Sequence, residues 1–296
     1  PMGTADATRL RLGLPKGSLQ ETTQRLFGRA GFDVRISSRS YYPDIDDPDI
    51  ECILIRSQEM ARYVEQGVID CGVTGLDWVL ETRADVVEVA DLRAPWPNYG
   101  PVQWVLAAKN GSAFESVEDL KGRRVATEVV GLTEQYLAEK GVEAHVEFSW
   151  GATEVKPPVL ADAIVDVSET GSSLRANDLK VLDVLLESTP RFIANKTAWE
   201  DAWKRSKLEK VRMLLMGAIR AASRVVLAMN VPCSVLDSVL EILPSLNAPT
   251  ISKLADEDWV AVTTVVEEAE VRELLPLLAD AGACGIIESP LNKIID

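Results

Sequence analysis

Cys52-Ile53-Leu54-Ile55-Arg56-Ser57 is an apolar run that ends on a cation, and Val68-Ile69-Asp70-Cys71-Gly72-Val73-Thr74-Gly75-Leu76-Asp77 repeats the design one helix later. Between them Gln58–Gln66 reads as a helix closed by Gly67, because glycine takes the left-handed turn past a helix end without strain. Upstream, Arg9–Leu14 predicts a strand, Leu19–Ala30 a helix stopped at Gly31, and Asp33–Ile36 a short strand. Strands nearly free of charge that alternate with helices belong to a parallel sheet covered on both faces. A second unit follows, with strands at Gln103–Ala108, Arg124–Thr127, Val146–Phe148 and Ala163–Val167 and a helix at Leu132–Lys140. Open α/β sheets bind ligands at the carboxyl ends of their strands, so two such lobes in succession predict a cleft between them.

Residues 198–215 have helical spacing, and the character changes from Arg220 onward. Val225–Met229, Pro249–Leu254, Trp259–Val266 and Gly285–Glu288 read as extended. Ser234–Leu243, with Pro232 at its first turn, and Val271–Ala281 read as helices. That order, βαββαβ, is the ferredoxin-like split unit.

The chain has 296 residues, with 31 Lys and Arg against 46 Asp and Glu and a formal net charge of −15. Such a balance argues against a duplex nucleic-acid binder, which needs a basic footprint. A small polyanion remains compatible if cations are concentrated locally. Residues 220–296 hold 5 basic and 12 acidic side chains, so most of the cations lie in the two lobes. The single histidine, His145, excludes a His-rich metal site. Cys52, Cys71, Cys233 and Cys284 show no C-x-x-C spacing and are expected as buried, reduced thiols. With no secretory pattern and no apolar run long enough for a membrane span, a cytoplasmic location is expected.

Three segments carry site chemistry. Asp166-Val167-Ser168-Glu169-Thr170-Gly171-Ser172-Ser173-Leu174 follows an apolar strand. Small residues turning into a helix offer backbone amides and hydroxyls to a phosphate, and the two acids can accept hydrogen bonds from ribose hydroxyls. A plain strand-to-helix turn with a capping serine is the alternative. Leu14-Pro15-Lys16-Gly17-Ser18-Leu19 puts a cation at the end of the first strand, either as a phosphate contact or as a solvated turn lysine. The strand in Val68 to Asp77 ends in Thr-Gly and an acid, and Arg56 ends the neighbouring strand in the same way, either as site residues or as a cap and a surface ion pair.

Together these segments resemble the ATP phosphoribosyltransferase family in its long form. The matches are Leu-Pro-Lys-Gly-x-Leu at 14–19, Arg56 before a helix, Gly67 to Asp77, Gly-Ala-Thr-Glu-Val at 151–155 and Asp166 to Leu174. In the tail they are Pro244 to Thr250, Asp258 to Ala261 and Gly282 to Ile286. The resemblance implies an α/β, two-lobed, periplasmic-binding-protein-like catalytic domain with central mixed or parallel sheets, followed by the ferredoxin-like regulatory domain. The partition it implies is 8–105 with 195–219 as lobe one, 106–194 as lobe two and 220–296 as the regulatory domain. It implies a pentosyltransferase that joins adenine N1 of ATP to phosphoribosyl pyrophosphate, with Mg2+, in the first step of histidine biosynthesis.

By the same resemblance Asp166, Glu169 and Lys16 are the catalytic candidates, and Asp166 with Glu169 would reach the metal through substrate. Asp166, Glu169, Thr170, Gly171, Ser172, Ser173 and Leu174 would hold phosphoribosyl pyrophosphate. Lys16, Gly17, Arg56, Asp70, Thr74, Gly75 and Asp77 would line the ATP side, with Glu154 either bordering the cleft or packing behind it. Free histidine is the implied feedback effector, at Asn230, Leu246, Thr250 and Gly285, and dimers assembling to hexamers are the implied state. Ser18 stands where the family often has Arg, and Trp150 where a small or polar residue is usual, either to stack on a ring or to cover the lobe edge. The alternatives are a two-lobed solute-binding or sensor protein and a regulatory paralogue with weak catalysis.

Overall fold

The computed structural model describes residues 9–37, 40–244 and 248–295. The chain divides near residue 212 into two compact units.

In the first unit the chain begins with β1 (Leu10–Lys16), α1 (Gln20–Ala30), β2 (Val34–Arg35), β3 (Asp44–Ile45), β4 (Ile50–Arg56), α2 (Ser57–Glu65), β5 (Cys71–Gly75), α3 (Leu76–Thr82) and β6 (Val87–Asp91). It then builds β7 (Val102–Lys109), β8 (Arg124–Thr127), α4 (Val130–Glu139), β9 (His145–Phe148), β10 (Ala163–Ser168), α5 (Ser172–Ala176) and β11 (Leu179–Ser188). β12 (Pro190–Ala194) and α6 (Lys196–Glu200) follow, and the chain's division falls within α7 (Ala202–Arg220).

Two five-stranded sheets result, ordered β4-β1-β5-β12-β6 and β11-β7-β10-β8-β9. β4, β1 and β5 run parallel, while β12 is antiparallel to both of its neighbours. In the second sheet β10, β8 and β9 run parallel, and β7 is antiparallel to both of its neighbours, β10 and β11. The helices cover these sheets with apolar faces. α1 buries Leu26 and Phe27 and stops at Gly31, whose φ of 106° is the left-handed conformation read from the sequence. Full burial of each such side chain contributes about 2 kcal/mol.

β12 supplies the buried Phe192, Ile193 and Ala194 to the middle of the first sheet. The lobe crossings therefore fall before Val102 and after Ser188, ahead of the expected 105/106 and 194/195 positions, because β7 pairs wholly in the second sheet and β12 wholly in the first. The expected single helix over 198–215 is two helices that meet at Asp201.

The second unit contains β13 (Arg224–Pro232), α8 (Leu236–Ile242), β14 (Thr250–Lys253), β15 (Trp259–Glu267), α9 (Glu268–Asp280) and β16 (Cys284–Pro290). The sheet is antiparallel throughout with order β14-β15-β13-β16, the ferredoxin-like arrangement. Val225, Leu227, Val262 and Val266 pack with Val239 and Leu278 from the two helices. Pro232 is the last residue of β13 rather than a helix N1 residue, and a 3-10 turn at Cys233–Val235 separates it from α8. Cys52 and Cys71 are buried as expected, but Cys233 and Cys284 are exposed, one in that turn and the other at the start of the edge strand β16.

Candidate active site

β1 and β4 are parallel and in register, so Lys16 lies directly opposite Arg56 where both strands end. Gly75 ends β5 on the same rim. Neither cation makes an ion pair with a carboxylate among the described residues. Lys16 Nζ instead donates to the Tyr41 hydroxyl at 2.7 Å. That hydrogen bond, then the lysine charge, holds the Tyr41 phenol below its ordinary pKa. A cavity of about 470 Å³ opens here, lined by Lys16, Arg56 and Gly75 from lobe one and by Trp104, Glu128 and Glu169 from lobe two.

The lobe-two side is acidic: Glu128 and Glu169 line the cavity, whereas Asp166 and residues 170–173 lie beside the lining Val167 and Glu169 without forming part of that lining. Asp166, near the end of β10, has its carboxyl pushed up to about 6, chiefly by burial. A hydrogen bond from the Val167 N–H works against burial, and the charges of Glu154 and Glu128 add to it. Burial also raises the Glu128 carboxyl, which has no hydrogen bond or ion pair among the described residues. Two such groups held close together favour a bound donor, either a hydroxyl or a cation.

The 168–175 turn is shaped by its glycine. Gly171 has φ +70°, and a Cβ there would meet Arg175 Nη1 at 2.8 Å. Its N–H donates to Ser168 Oγ at 2.9 Å, and Thr170 Oγ1 donates to Ser172 Oγ at 3.0 Å. Ser173 Oγ donates to Glu154 Oε1 at 3.3 Å, which brings Glu154 to the turn. First-turn amides of a helix have no partner within it, so the turn presents donors with the Arg175 guanidinium beside them.

Four expected contacts are placed differently. Asp70 precedes β5, at the end of the strand away from the cavity; it accepts from the Arg11 N–H at 2.8 Å and pairs with Lys204 at 2.8 Å and Arg11 at 3.5 Å. Thr74 is fully buried and donates to the Ser57 carbonyl at 2.8 Å, tying β5 to α2. Asp77 lines the cavity, but both of its carboxylate oxygens are engaged, by the Trp78 N–H at 2.9 Å and Trp104 Nε1 at 2.7 Å. Leu174 packs its side chain against Val105 and Ala107 in the lobe-two core, leaving only its backbone for a ligand. Gly17 and Ser18 line the cavity. Trp150 is 92% exposed and touches Phe148 edge-on, so it neither faces the cavity nor covers the lobe.

Tyr41, Trp104, Glu128 and Arg175 stand beside the expected site residues without belonging to the expected set. Glu128 directly follows the strand β8, and that is the available signal; Tyr41 lies outside any motif and only the fold brings it to Lys16. In the second unit Asn230 and Gly285 are neighbours, a Cβ on Gly285 falling 3.7 Å from Asn230 Nδ2. Thr250 stands on β14, separated from Asn230 by β15. Leu246 lies outside the described residues.

The ATP phosphoribosyltransferase family matches residues 56–217, and the C-terminal domain of the same family matches 221–293. A protein named ATP phosphoribosyltransferase from Thermodesulfovibrio yellowstonii is 57% identical, over 97% of this chain and 98% of its own. One of the same name from Solibacter usitatus is 58% identical, over 97% and 99%. A chain from the ATP phosphoribosyl transferase (HisG:HisZ) complex of Thermotoga maritima superimposes with a TM-score of 0.59 at 27% identity, covering 70% of this chain and 98% of that one. The two named relatives match nearly end to end, which removes the solute-binding alternative. The chain belongs to the ATP phosphoribosyltransferase family, the pentosyltransferases that open histidine biosynthesis by joining ATP to phosphoribosyl pyrophosphate.

Proposed function

We propose that the two walls of the cleft divide the reaction between them. Lys16 and Arg56 take phosphates of ATP and the departing pyrophosphate, with Gly17 and Gly75 shaping that rim. Thr170, Gly171, Ser172 and Ser173 hold the 5-phosphate, aided by Arg175, while Asp166 and Glu169 accept hydrogen bonds from the ribose hydroxyls. The lone pair of adenine N1 forms the new bond to the anomeric carbon, and the breaking C–O bond leaves its electrons on pyrophosphate. N1 carries no proton, so no general base is required. Rate comes from in-line alignment and from stabilising the charge that develops on the leaving group.

The family uses a divalent metal. Among the described residues no three His, Cys, Asp or Glu side chains converge to hold an ion by themselves. Hard carboxylate oxygens from Asp166 and Glu169 suit Mg2+ bound mainly through substrate phosphates. When bound, that ion neutralises charge on pyrophosphate.

The observation that carries this reading is the pairing of two cations at strand ends with unpaired carboxylates across one cavity. Mixing the purified chain with ATP, phosphoribosyl pyrophosphate and Mg2+, free of histidine, should produce the near-ultraviolet absorbance of the N1 adduct. No adduct under those conditions would overturn the reading and favour a paralogue that has lost turnover.

The same reading makes histidine an effector at the Asn230–Gly285 corner of the second unit, and makes the working state a homo-oligomer of dimers forming hexamers. Asn230→Ala should weaken inhibition by histidine while kcat/KM stays within twofold. Inhibition unchanged in that variant would place the effector elsewhere. No described helix is long and apolar enough to cross a membrane, in keeping with a cytoplasmic enzyme.

A further inference from the structure

α3 grows out of the lobe-one strand β5, yet three of its seven side chains go to lobe two. Asp77 accepts from Trp104 Nε1 at 2.7 Å, while its own N–H donates to Ser188 Oγ at 3.1 Å. Trp78 meets Trp104 edge-on at 6.1 Å between centroids and packs against the lobe-two core. One turn later, on the same face, Glu81 Oε1 accepts from the Gly131 N–H at 3.0 Å and Oε2 from the Leu132 N–H at 2.8 Å.

The Glu81 contact crosses from one lobe to the other. The residue that precedes α4, Val129, has no side chain able to cap it, and Glu81 supplies the missing acceptor from outside. A carboxylate there is favoured both by the unpaired amides and by the positive end of the helix dipole. The approach is close: a Cβ on Gly131 would stand 3.2 Å from the Glu81 carbonyl oxygen and 3.4 Å from Oε2. Immediately before this clamp the chain leaves β8 at Thr127, whose hydroxyl accepts from the Val129 N–H at 3.1 Å. Between those two residues stands Glu128, which faces the cavity.

We propose that Glu81 is a positioning residue for phosphoribosyl transfer. Its carboxylate clamps the start of α4 from the opposite lobe, and so fixes both the Glu128 loop and the spacing of the two walls. This rests on the assignment of ATP phosphates to lobe one and the phosphoribosyl group to lobe two. Each substrate then binds largely to one wall, and what the clamp sets is their mutual alignment. Misplacement by about 1 Å in a reaction of this kind costs about 100-fold in rate.

Steady-state kinetics of Glu81→Ala, Glu81→Asp, Glu81→Gln and Gly131→Ala, with melting curves recorded alongside, would test the proposal. Glu81→Ala should lower kcat about tenfold or more, while KM for both substrates stays within about threefold and the chain stays folded at the assay temperature. Glu81→Gln keeps the reach and one acceptor oxygen, and should recover more rate than Glu81→Asp, which keeps the charge but is one methylene short. A kcat for Glu81→Ala within twofold of wild type, or a rise in KM with kcat unchanged, would overturn the proposal. If Glu81→Ala does not fold, Gly131→Ala carries the test with the same two outcomes, since it keeps the carboxylate and displaces it. A wild-type chain that makes no adduct would strike the assignment of the cleft; an active wild type with an indifferent Glu81 would strike only the clamp.

Discussion

The two walls of the cleft obtain their charge in opposite ways. On the lobe-one side the acids near the strands are consumed internally, Asp70 by Arg11 and Lys204 and Asp77 by Trp104 and Trp78, which leaves Lys16 and Arg56 unopposed. On the lobe-two side Glu128 and Asp166 are left without a cation, and burial raises both carboxyls. An acidic chain can therefore present a cationic face to polyanions, because neutralisation of its carboxylates is local. What distinguishes a site carboxylate from a structural one is the absence of a side-chain partner, not its position at a strand end.

The strongest way to break this comparison is to empty the acidic wall. Asp166→Ala with Glu169→Ala should lower kcat/KM by about 1,000-fold or more, with circular dichroism and melting close to wild type. A double variant at wild-type kcat/KM would refute the assignment. The next effect is on pH. Asp166 titrates near 6 in the folded chain against an ordinary value of 3.8, and it must be ionised to accept hydroxyl hydrogen bonds. The rate should fall about tenfold between pH 7 and pH 5, with that limb absent in Asp166→Asn. The folded state also binds this proton more tightly than the unfolded one, so the raised pKa favours folding at low pH. That contribution is lost as pH rises from about 4 through about 6. Asp166→Asn, slower than wild type but still measurable, should therefore be more stable at pH 7, by about 1 kcal/mol once screening at this partly exposed site is allowed for. Denaturant titrations at pH 4 and pH 7 would check the sign. The smallest effect on activity belongs to Asp70→Asn. kcat/KM should stay within about twofold, while stability falls by about 3 kcal/mol because Lys204 and Arg11 lose a buried partner.

These contrasts also explain what the sequence made legible. The β4-α2-β5 alternation was readable because buried parallel strands are apolar along their whole length. β11 escaped notice for a physical reason: its ladder shifts register between Val181 and Asp183 and again between Val184 and Leu186. The bulges break the two-residue alternation that marks a half-buried strand. β12 is five residues long and opens on Pro190, which offers little pattern. In the site, Lys16, Arg56 and the 166–173 turn were legible because they end predicted strands. Asp70 and Asp77 misled because residue type and spacing do not reveal that Lys204 or Trp104, far along the chain, will reach them. Tyr41 and Glu81 act only through partners that the fold assembles.

The return of β12 into the first sheet has a consequence for how the chain is made. Lobe two is a contiguous stretch between Val102 and Ser188, whereas the sheet of lobe one keeps an open slot between β5 and β6 until Phe192, Ile193 and Ala194 arrive. During synthesis from the amino end, the lobe that begins the chain is the one completed last. Its exposed strand edges wait on the ribosome while its neighbour folds.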